Sequence, residues 1–292
     1  MNNWQSKRIG IIGPGLIGGS FALALKKAGL QTLVWGCSPD QSEMALAKEM
    51  AIVDKVAKDL SELVQEVEVI FIASPVMAIE QIFKEIYPYL KDHHIITDAC
   101  STKCFVIDKA LLILKERSPQ FVPAHPIAGS EKNGPLSADA DLFRHKQVVI
   151  TPLPNQHTLS LKLVEALWLA CGASLRMMEP ATHDQIYAKL SHLPHLLSAA
   201  YLNALTKHDE IDWGKAGTGF KDFTRIAAGP EQVWRDIFIT NAPTILNELE
   251  AFEASIKEVK ALVAAADIEK LDEWLKNARS QAMTSRISHI KV

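Results

Sequence analysis

The stretch Gly13-Pro14-Gly15-Leu16-Ile17-Gly18-Gly19-Ser20 decides the fold. It follows Lys7-Arg8-Ile9-Gly10-Ile11-Ile12, a short apolar run that reads as a buried strand, and it opens a helical pattern through Phe21-Ala22-Leu23-Ala24-Leu25. Strand, glycine turn and helix in that order make a dinucleotide-binding fingerprint. Gly13 permits the tight turn, Gly15 lets a pyrophosphate approach the backbone, and Gly18 lets the helix pack close to the strand. Pro14, Leu16 and Ile17 fill the rest of the same loop. A GxGxxG pattern alone is a weak signal; its position between strand and helix gives it meaning.

Working outward, the next strand is expected over 31–36 and should end beside an adenine ribose, where NAD-dependent proteins usually present Asp or Glu. Here the chain reads Cys37-Ser38-Pro39-Asp40. Ser38 is compatible with a 2′-phosphate, whereas Asp40 would serve NAD if the turn carried it inward, so the choice between NAD and NADP stays open. Further strands are expected over 68–73, 94–98 and 147–151, with a helix over 78–87. This alternation argues for an α/β fold with a doubly wound parallel sheet. Two strand ends carry polar loops, Ser74-Pro75 and Ala99-Cys100-Ser101-Thr102-Lys103. Ser101 either caps the helix that follows or touches a substrate. After the linker Pro152-Leu153-Pro154-Asn155 the patterning changes, which divides the chain into a dinucleotide-binding domain, 1–154, and a helical domain, 155–292, with no strand expected in the latter.

Composition narrows the function class. With 292 residues, 48% hydrophobic and 22% charged, the chain can bury two cores without disulfides. A net charge of −3 offers no basic excess for nucleic acid or an anionic membrane. No run of eighteen apolar residues and no signal-peptide pattern occurs, so a cytoplasmic protein is expected. Cys37, Cys100, Cys104 and Cys171 form no CxxC pair and have no histidine partner at zinc-ligand spacing, and no metal is expected.

Three stretches carry candidate chemistry. His125-Pro126-Ile127-Ala128-Gly129-Ser130-Glu131 follows the apolar run Phe121-Val122-Pro123-Ala124, so His125 should emerge at a strand's carboxyl edge, where open α/β sheets bind ligands. Taken alone, a histidine in a loop is more often a satisfied structural residue. In the helical half, Ser191-His192-Leu193-Pro194-His195 places Ser191 and His195 four apart on one face beside a proline kink, either a polar helix face or a ligand wall. The third stretch, 217–227, reads as a loop whose Arg225 suits a carboxylate or a surface ion pair. Long apolar helices run through Leu159, Leu163 and Leu167, through Trp234 and Ile237 after Pro230, and through Ile245, Leu249, Phe252 and Ile256. They suggest burial against a second subunit.

With the glycine turn, HPIAGSE, SHLPH and GFKDFTRIA in hand, the chain resembles the prephenate/arogenate dehydrogenase family of tyrosine biosynthesis over nearly its whole length. The resemblance implies a Rossmann-like domain followed by an all-α dimerisation domain, with the site in the cleft between them. It implies oxidative decarboxylation of prephenate to 4-hydroxyphenylpyruvate with hydride transfer to NAD or NADP, or of arogenate to tyrosine. His125 matches the catalytic histidine and Ser101 the serine that contacts the ring hydroxyl. Arg225 matches the carboxylate-binding arginine. His195, Ser191 and His192 match the substrate-lining helix, with Ser130 beside them in the histidine's loop. Glu131 and Asp222 resemble members of an ionic network and Trp234 an aromatic near the mouth, while Ser74 and Pro75 join the cofactor side. Expected partners are a small-molecule substrate and a second copy of the chain.

Two rival readings differ in class. A β-hydroxyacid dehydrogenase would rely on a helical-domain lysine, for which Lys189 and Lys221 are available. A redox-sensing NAD(P)-binding protein would not need a histidine, a serine and an arginine converging on the nicotinamide.

Overall fold

The computed structural model describes residues 4–129, 132–205 and 212–288. They fall into two compact units, Met1–Ala242 and Pro243–Val292. The first contains a six-stranded sheet of β1 (Ile9–Ile12), β2 (Val34–Cys37), β3 (Lys55–Val56), β4 (Val69–Ile72), β5 (Ile95–Asp98) and β6 (Phe121–Val122). Every pairing is parallel and the order is β3-β2-β1-β4-β5-β6. Helices α1 (Leu16–Lys27), α2 (Gln41–Glu49), α3 (Leu60–Glu66), α4 (Ile79–Ile86) and α5 (Cys104–Leu114) form the crossovers.

Strand alternation explains why the sheet needs helices on both sides. Ile9, Ile11, Val69 and Phe71 face one core with Phe21 and Leu25 of α1, whereas Ile12, Ile70 and Ile72 face a second core with Phe83 of α4 and Val106 of α5. The strands read as continuous apolar runs because both faces are buried. The doubly wound arrangement expected from the sequence is present.

A second, three-stranded sheet contains β7 (Ala124–Pro126), antiparallel to β8 (Gln147–Ile150), which is parallel to β9 (Ser174–Met177). Two expectations are corrected here. Residues 124–126 are strand, with His125 opposite Val149, instead of the start of a loop. Pro123 has no N–H to continue the β6 ladder, and the chain changes sheets at that point. The region after Asn155 is not strand-free either. Helix α6 (Thr158–Ala170) sends Leu163, Leu167 and Trp168 into the core of Phe21 and Phe71, and β9 follows it. Trp168 meets Phe21 and Phe71 edge-on at centroid distances of 4.8 and 5.6 Å.

Helical structure then dominates, with α7 (Pro180–Tyr187), a π-helical turn at Ala188–His192, α8 (Leu193–Leu205), α9 (Thr218–Thr224) and α10 (Glu231–Thr240). The expected kink near Pro194 is realised as this π turn, one residue wider than an α-turn and placed just before the proline. The stretch 217–227, expected as a loop, is α9 followed by the 3₁₀ turn Arg225–Ala228. The second unit is built of α11 (Ala242–Ala264) and α12 (Ile268–Ser288), which leave Leu246, Ile256, Val263 and Leu275 exposed. Among the described residues no helix is long and apolar enough to cross a membrane.

Candidate active site

The nucleotide cradle lies where the sheet order reverses, between β1 and β4, the place where open α/β sheets bind dinucleotides. Gly13 adopts φ +83°, and a Cβ there would lie 2.8 Å from the carbonyl oxygen of Ala73. A Cβ on Gly18 would meet the Gly13 oxygen at 2.2 Å, so neither position accepts a side chain. Gly15 is the N-cap of α1 and supplies no side-chain bond, which leaves the helix's first N–H groups for phosphate oxygens. Pro14 is buried beside it, while Leu16 and Ile17 begin the helix half-buried. Ser74, next to Pro75 at the end of β4, has a buried hydroxyl with no protein partner. A tight glycine turn, an uncapped helix start and an orphaned hydroxyl together fit a bound dinucleotide.

At the far end of the cradle, Asp40 caps α2, its Oδ1 accepting from the N–H groups of Ser42 and Glu43 at 2.9 and 3.1 Å. Its carboxylate is therefore occupied locally, not carried inward. Ser38 instead donates its hydroxyl to Glu43 Oε2 at 2.7 Å, and Glu43 Oε1 lies 3.2 Å from where a Cβ on Gly15 would stand. The first turn of the next helix thus brings a carboxylate close to Gly15.

His125, itself half-buried, joins a polar network from four elements whose other members, His183, Asp184, Lys103 and Asp98, are buried. Its Nδ1 lies 2.8 Å from Nε2 of His183 on α7, and His183 Nδ1 lies 2.8 Å from Asp184 Oδ1. Asp184 in turn accepts the N–H of Lys103 at 2.8 Å and of Cys104 at 2.9 Å, capping α5 from another element. Ser101 does not fill that cap, contrary to one of its two expected roles; it stands half-buried two residues earlier. Lys103 is fully buried and donates Nζ to Asp98 Oδ2 at 2.6 Å and to the Ala124 carbonyl at 2.7 Å. Asp98 Oδ1 accepts the Ala124 N–H at 2.9 Å. The strand that carries His125 is therefore clamped on both polar groups of the preceding residue. Tyr187 packs its ring against both histidines.

Burial first, then the proximity of His183, Lys103 and His192, holds His125 well below the ordinary imidazole value. Burial also lowers His183, against the pull of Asp184. For Asp184 burial works the other way, but hydrogen bonds from His183 and the Lys103 and Cys104 N–H groups outweigh it and keep its carboxyl below the usual range. At neutral pH the network holds two neutral rings and an ionised carboxylate.

The helical residues separate into different tasks. His192 is buried, 3.1 Å from Asn241 Nδ2, which also donates to the Asp184 carbonyl at 2.9 Å. Burial pushes His192 down to about 4. His195 stacks on Trp234 at a centroid distance of 3.4 Å, with a buried Nδ1 that has no protein partner. Burial pushes it, too, down to about 4. Gly229 lets these rings close, because a Cβ there would lie 2.5 Å from Trp234 Nε1 and 3.2 Å from His195 Cε1. Ser191 is half-buried in the π turn. Arg225, exposed, begins the 3₁₀ turn that leads into Gly229, and Asp222 is exposed on α9. Ser130 and Glu131 lie outside the described residues.

Sequence reasoning missed Asp98, Lys103, His183, Asp184 and Glu43. A signal existed for three of them. Asp98 closes a buried parallel strand, and His183-Asp184 lies on the same helical run as the SHLPH stretch.

A doubly wound sheet with a glycine-turn nucleotide cradle, followed by a histidine held neutral beside a helical wall, defines a nicotinamide-nucleotide-dependent oxidoreductase. Comparison with known proteins identifies the family. The description "Prephenate dehydrogenase, nucleotide-binding domain" matches residues 21–177, and "Prephenate dehydrogenase, dimerization domain" matches 179–277. The chain belongs to the prephenate dehydrogenase family. It is 30% identical over 290 residues to a cyclohexadienyl dehydrogenase of Zymomonas mobilis, covering 97% of each chain. To a prephenate dehydrogenase of Bacillus subtilis it is 31% identical over 282 residues, 95% of this chain and 76% of that one. The structure of an Aquifex aeolicus prephenate dehydrogenase in complex with hydroxyphenyl propionate and NAD+ superposes with a TM-score of 0.89 at 31% identity, covering 95% of this chain and 98% of that one.

Proposed function

We propose that the protein is a prephenate dehydrogenase that uses NAD, oxidising and decarboxylating prephenate to 4-hydroxyphenylpyruvate, with arogenate as the chemically equivalent alternative. The observation that carries the reading is the neutral His125, positioned by a network at the end of a nucleotide-binding sheet. Bound nicotinamide would accept the hydride from C4 of the substrate ring. The protein's part is to take the hydroxyl proton as the carbonyl forms and to hold the ring in place. His125 is the base and Ser101 contacts the same hydroxyl. Arg225 holds a substrate carboxylate, and His195, Ser191 and His192 line the pocket with Trp234. Asp222 adds a charge to its rim. Loss of the C1 carboxylate restores aromaticity and needs no metal.

Steady-state kinetics with prephenate and arogenate crossed against NAD and NADP test the reading. Turnover is expected with prephenate and NAD, and no turnover of either substrate would sink it.

The choice of NAD rests on Glu43. A carboxylate in that place bonds a ribose diol and repels a 2′-phosphate, and Ser38 holds it there. Direct titration of the enzyme, without substrate, should give tighter binding of NAD than of NADP. Glu43→Gln should narrow the ratio of dissociation constants by about tenfold, or ~1.4 kcal/mol. A wild-type preference for NADP would refute the assignment.

As a functional division we propose a dinucleotide-binding part and a helical part that binds substrate and joins two subunits. We place the junction between these parts at Met178 instead of 154/155, with support from α6, which packs into the first part's core, and β9, which pairs with β8. Exposed apolar side chains on α11 and α12 support pairing of two copies. Four free thiols suit the reducing cytoplasm.

A further inference from the structure

We infer that His183 and Asp184 are positioning residues that fix the tautomer of His125 and lend it a second site for the substrate's proton. The inference rests on the proposed reaction for its kinetics, but not for its chemistry of hydrogen bonds.

The tautomers follow from donors and acceptors alone. Asp184 takes N–H groups from Lys103, Cys104 and His183, so it acts purely as an acceptor. His183 must then carry its proton on Nδ1, which leaves Nε2 with a lone pair. The 2.8 Å contact between His183 Nε2 and His125 Nδ1 requires a donor, and only His125 can supply it. His125 is therefore protonated on Nδ1 and bare on Nε2. That bare nitrogen is the base.

The proton's path balances without solvent. As hydride leaves C4, the substrate O–H bond breaks, its electron pair forms the carbonyl, and the proton joins His125 Nε2. The Nδ1 proton of His125 moves to His183 Nε2, so the positive charge rests on the ring that touches Asp184. When the C1–carboxylate bond breaks, its electron pair flows through the ring to the oxygen. The proton returns by the same path and restores the hydroxyl as a phenol. Prephenate dianion and oxidised cofactor give a monoanionic keto acid, carbon dioxide and reduced cofactor, with no net proton. A relay that returns its proton to the product suits that balance.

The surroundings favour charge on the outer ring. His125 faces the ammonium of Lys103 through the clamp on Ala124, with Asp98 beyond it. His192 lies near on the π turn and Tyr187 packs against both rings. The Cys104 thiol is beside Asp184 and is kept protonated by burial. Asp184 is the one anion in direct contact with either histidine among the described residues.

Nitrogen-15 NMR of histidine-labelled enzyme, without substrate, reads the tautomers directly. His125 and His183 should both show protonated Nδ1 and bare Nε2, assigned by loss of one signal each in His125→Asn and His183→Gln. A protonated Nε2 on His125 overturns the proposal whatever the substrate proves to be. In kinetics, Asp184→Asn should lower kcat on the order of 10²-fold, a smaller loss than for an aspartate touching the catalytic ring, with KM changed less than about twofold. Its acid limb should move to lower pH, because the carboxylate that makes the pair more basic is gone. An unchanged limb overturns the proposal. Should Asp184→Asn fail to fold, His183→Gln gives the same decision. Its amide oxygen keeps the tautomer of His125 but cannot accept a proton, so His125 should stay protonated on Nδ1 while kcat falls. Full kcat in that variant overturns the relay.

Discussion

His125→Asn is expected to lower kcat by about 10²–10⁴-fold, the usual worth of a positioned general base, while KM for prephenate stays within a few-fold of wild type. Asparagine can still donate to His183, so the fold around the position should persist. It cannot take the hydroxyl proton at the place where Nε2 stood. The wild-type pH profile follows from the same burial. His125 is held well below the ordinary imidazole value, so the base remains neutral, and the enzyme active, at a pH where a free imidazole would already be protonated. Measurement of kcat and KM from pH 5 to 9 checks both statements. Near-normal kcat in His125→Asn would remove the histidine from the chemistry.

Lys103→Met should have the largest effect on stability. Lys103 and Asp98 form an ion pair with both side chains fully buried. Removing one partner strands the other charge, at a cost of about 3–5 kcal/mol. The clamp on the Ala124 carbonyl goes with it. A clear fall in the denaturation midpoint is expected, and Lys103→Met combined with Asp98→Asn should recover part of it by removing the stranded charge. Breaking the exposed Lys27–Asp141 pair should leave the midpoint unchanged. If the two single variants unfolded alike, the buried pair would have no special role in holding the site.

The parallel sheet was legible because its causes are local. Apolar runs ending in glycine or polar turns state a strand buried on both faces, and Gly13 and Gly18 are required by contacts a few residues away. Residues 174–177 were not legible as strand. Ser174 and Met177 are exposed, so β9 has little apolar periodicity and exists because β8 offers it an edge. The candidate site was legible where a residue type announces chemistry, as at His125, which meets His183 and Tyr187. It was not where the partner comes from a distant segment. Nothing near Lys103 in sequence says that its N–H will be capped by Asp184, 81 positions on. Asp40 misled for the same reason in reverse, since a carboxylate near a strand end can be consumed by its own helix. The π turn was heralded by Pro194, but its width could not be read from a helical wheel.

That width has a consequence for insertions and deletions. Residues 180–205 form one helical rod on which His183, His192 and His195 meet three different partners: His125, Asn241 and Trp234. Each α-helical residue turns the rod by about 100°, and the π turn at Ala188–His192 inserts extra angle between its two halves. Deleting one residue there would close the bulge to an ordinary turn and spin one half against the other. His183 would then leave His125, or His195 would leave Trp234. The segment works as a phase setting between two parts of the pocket, more tolerant of changed side chains than of a changed residue count.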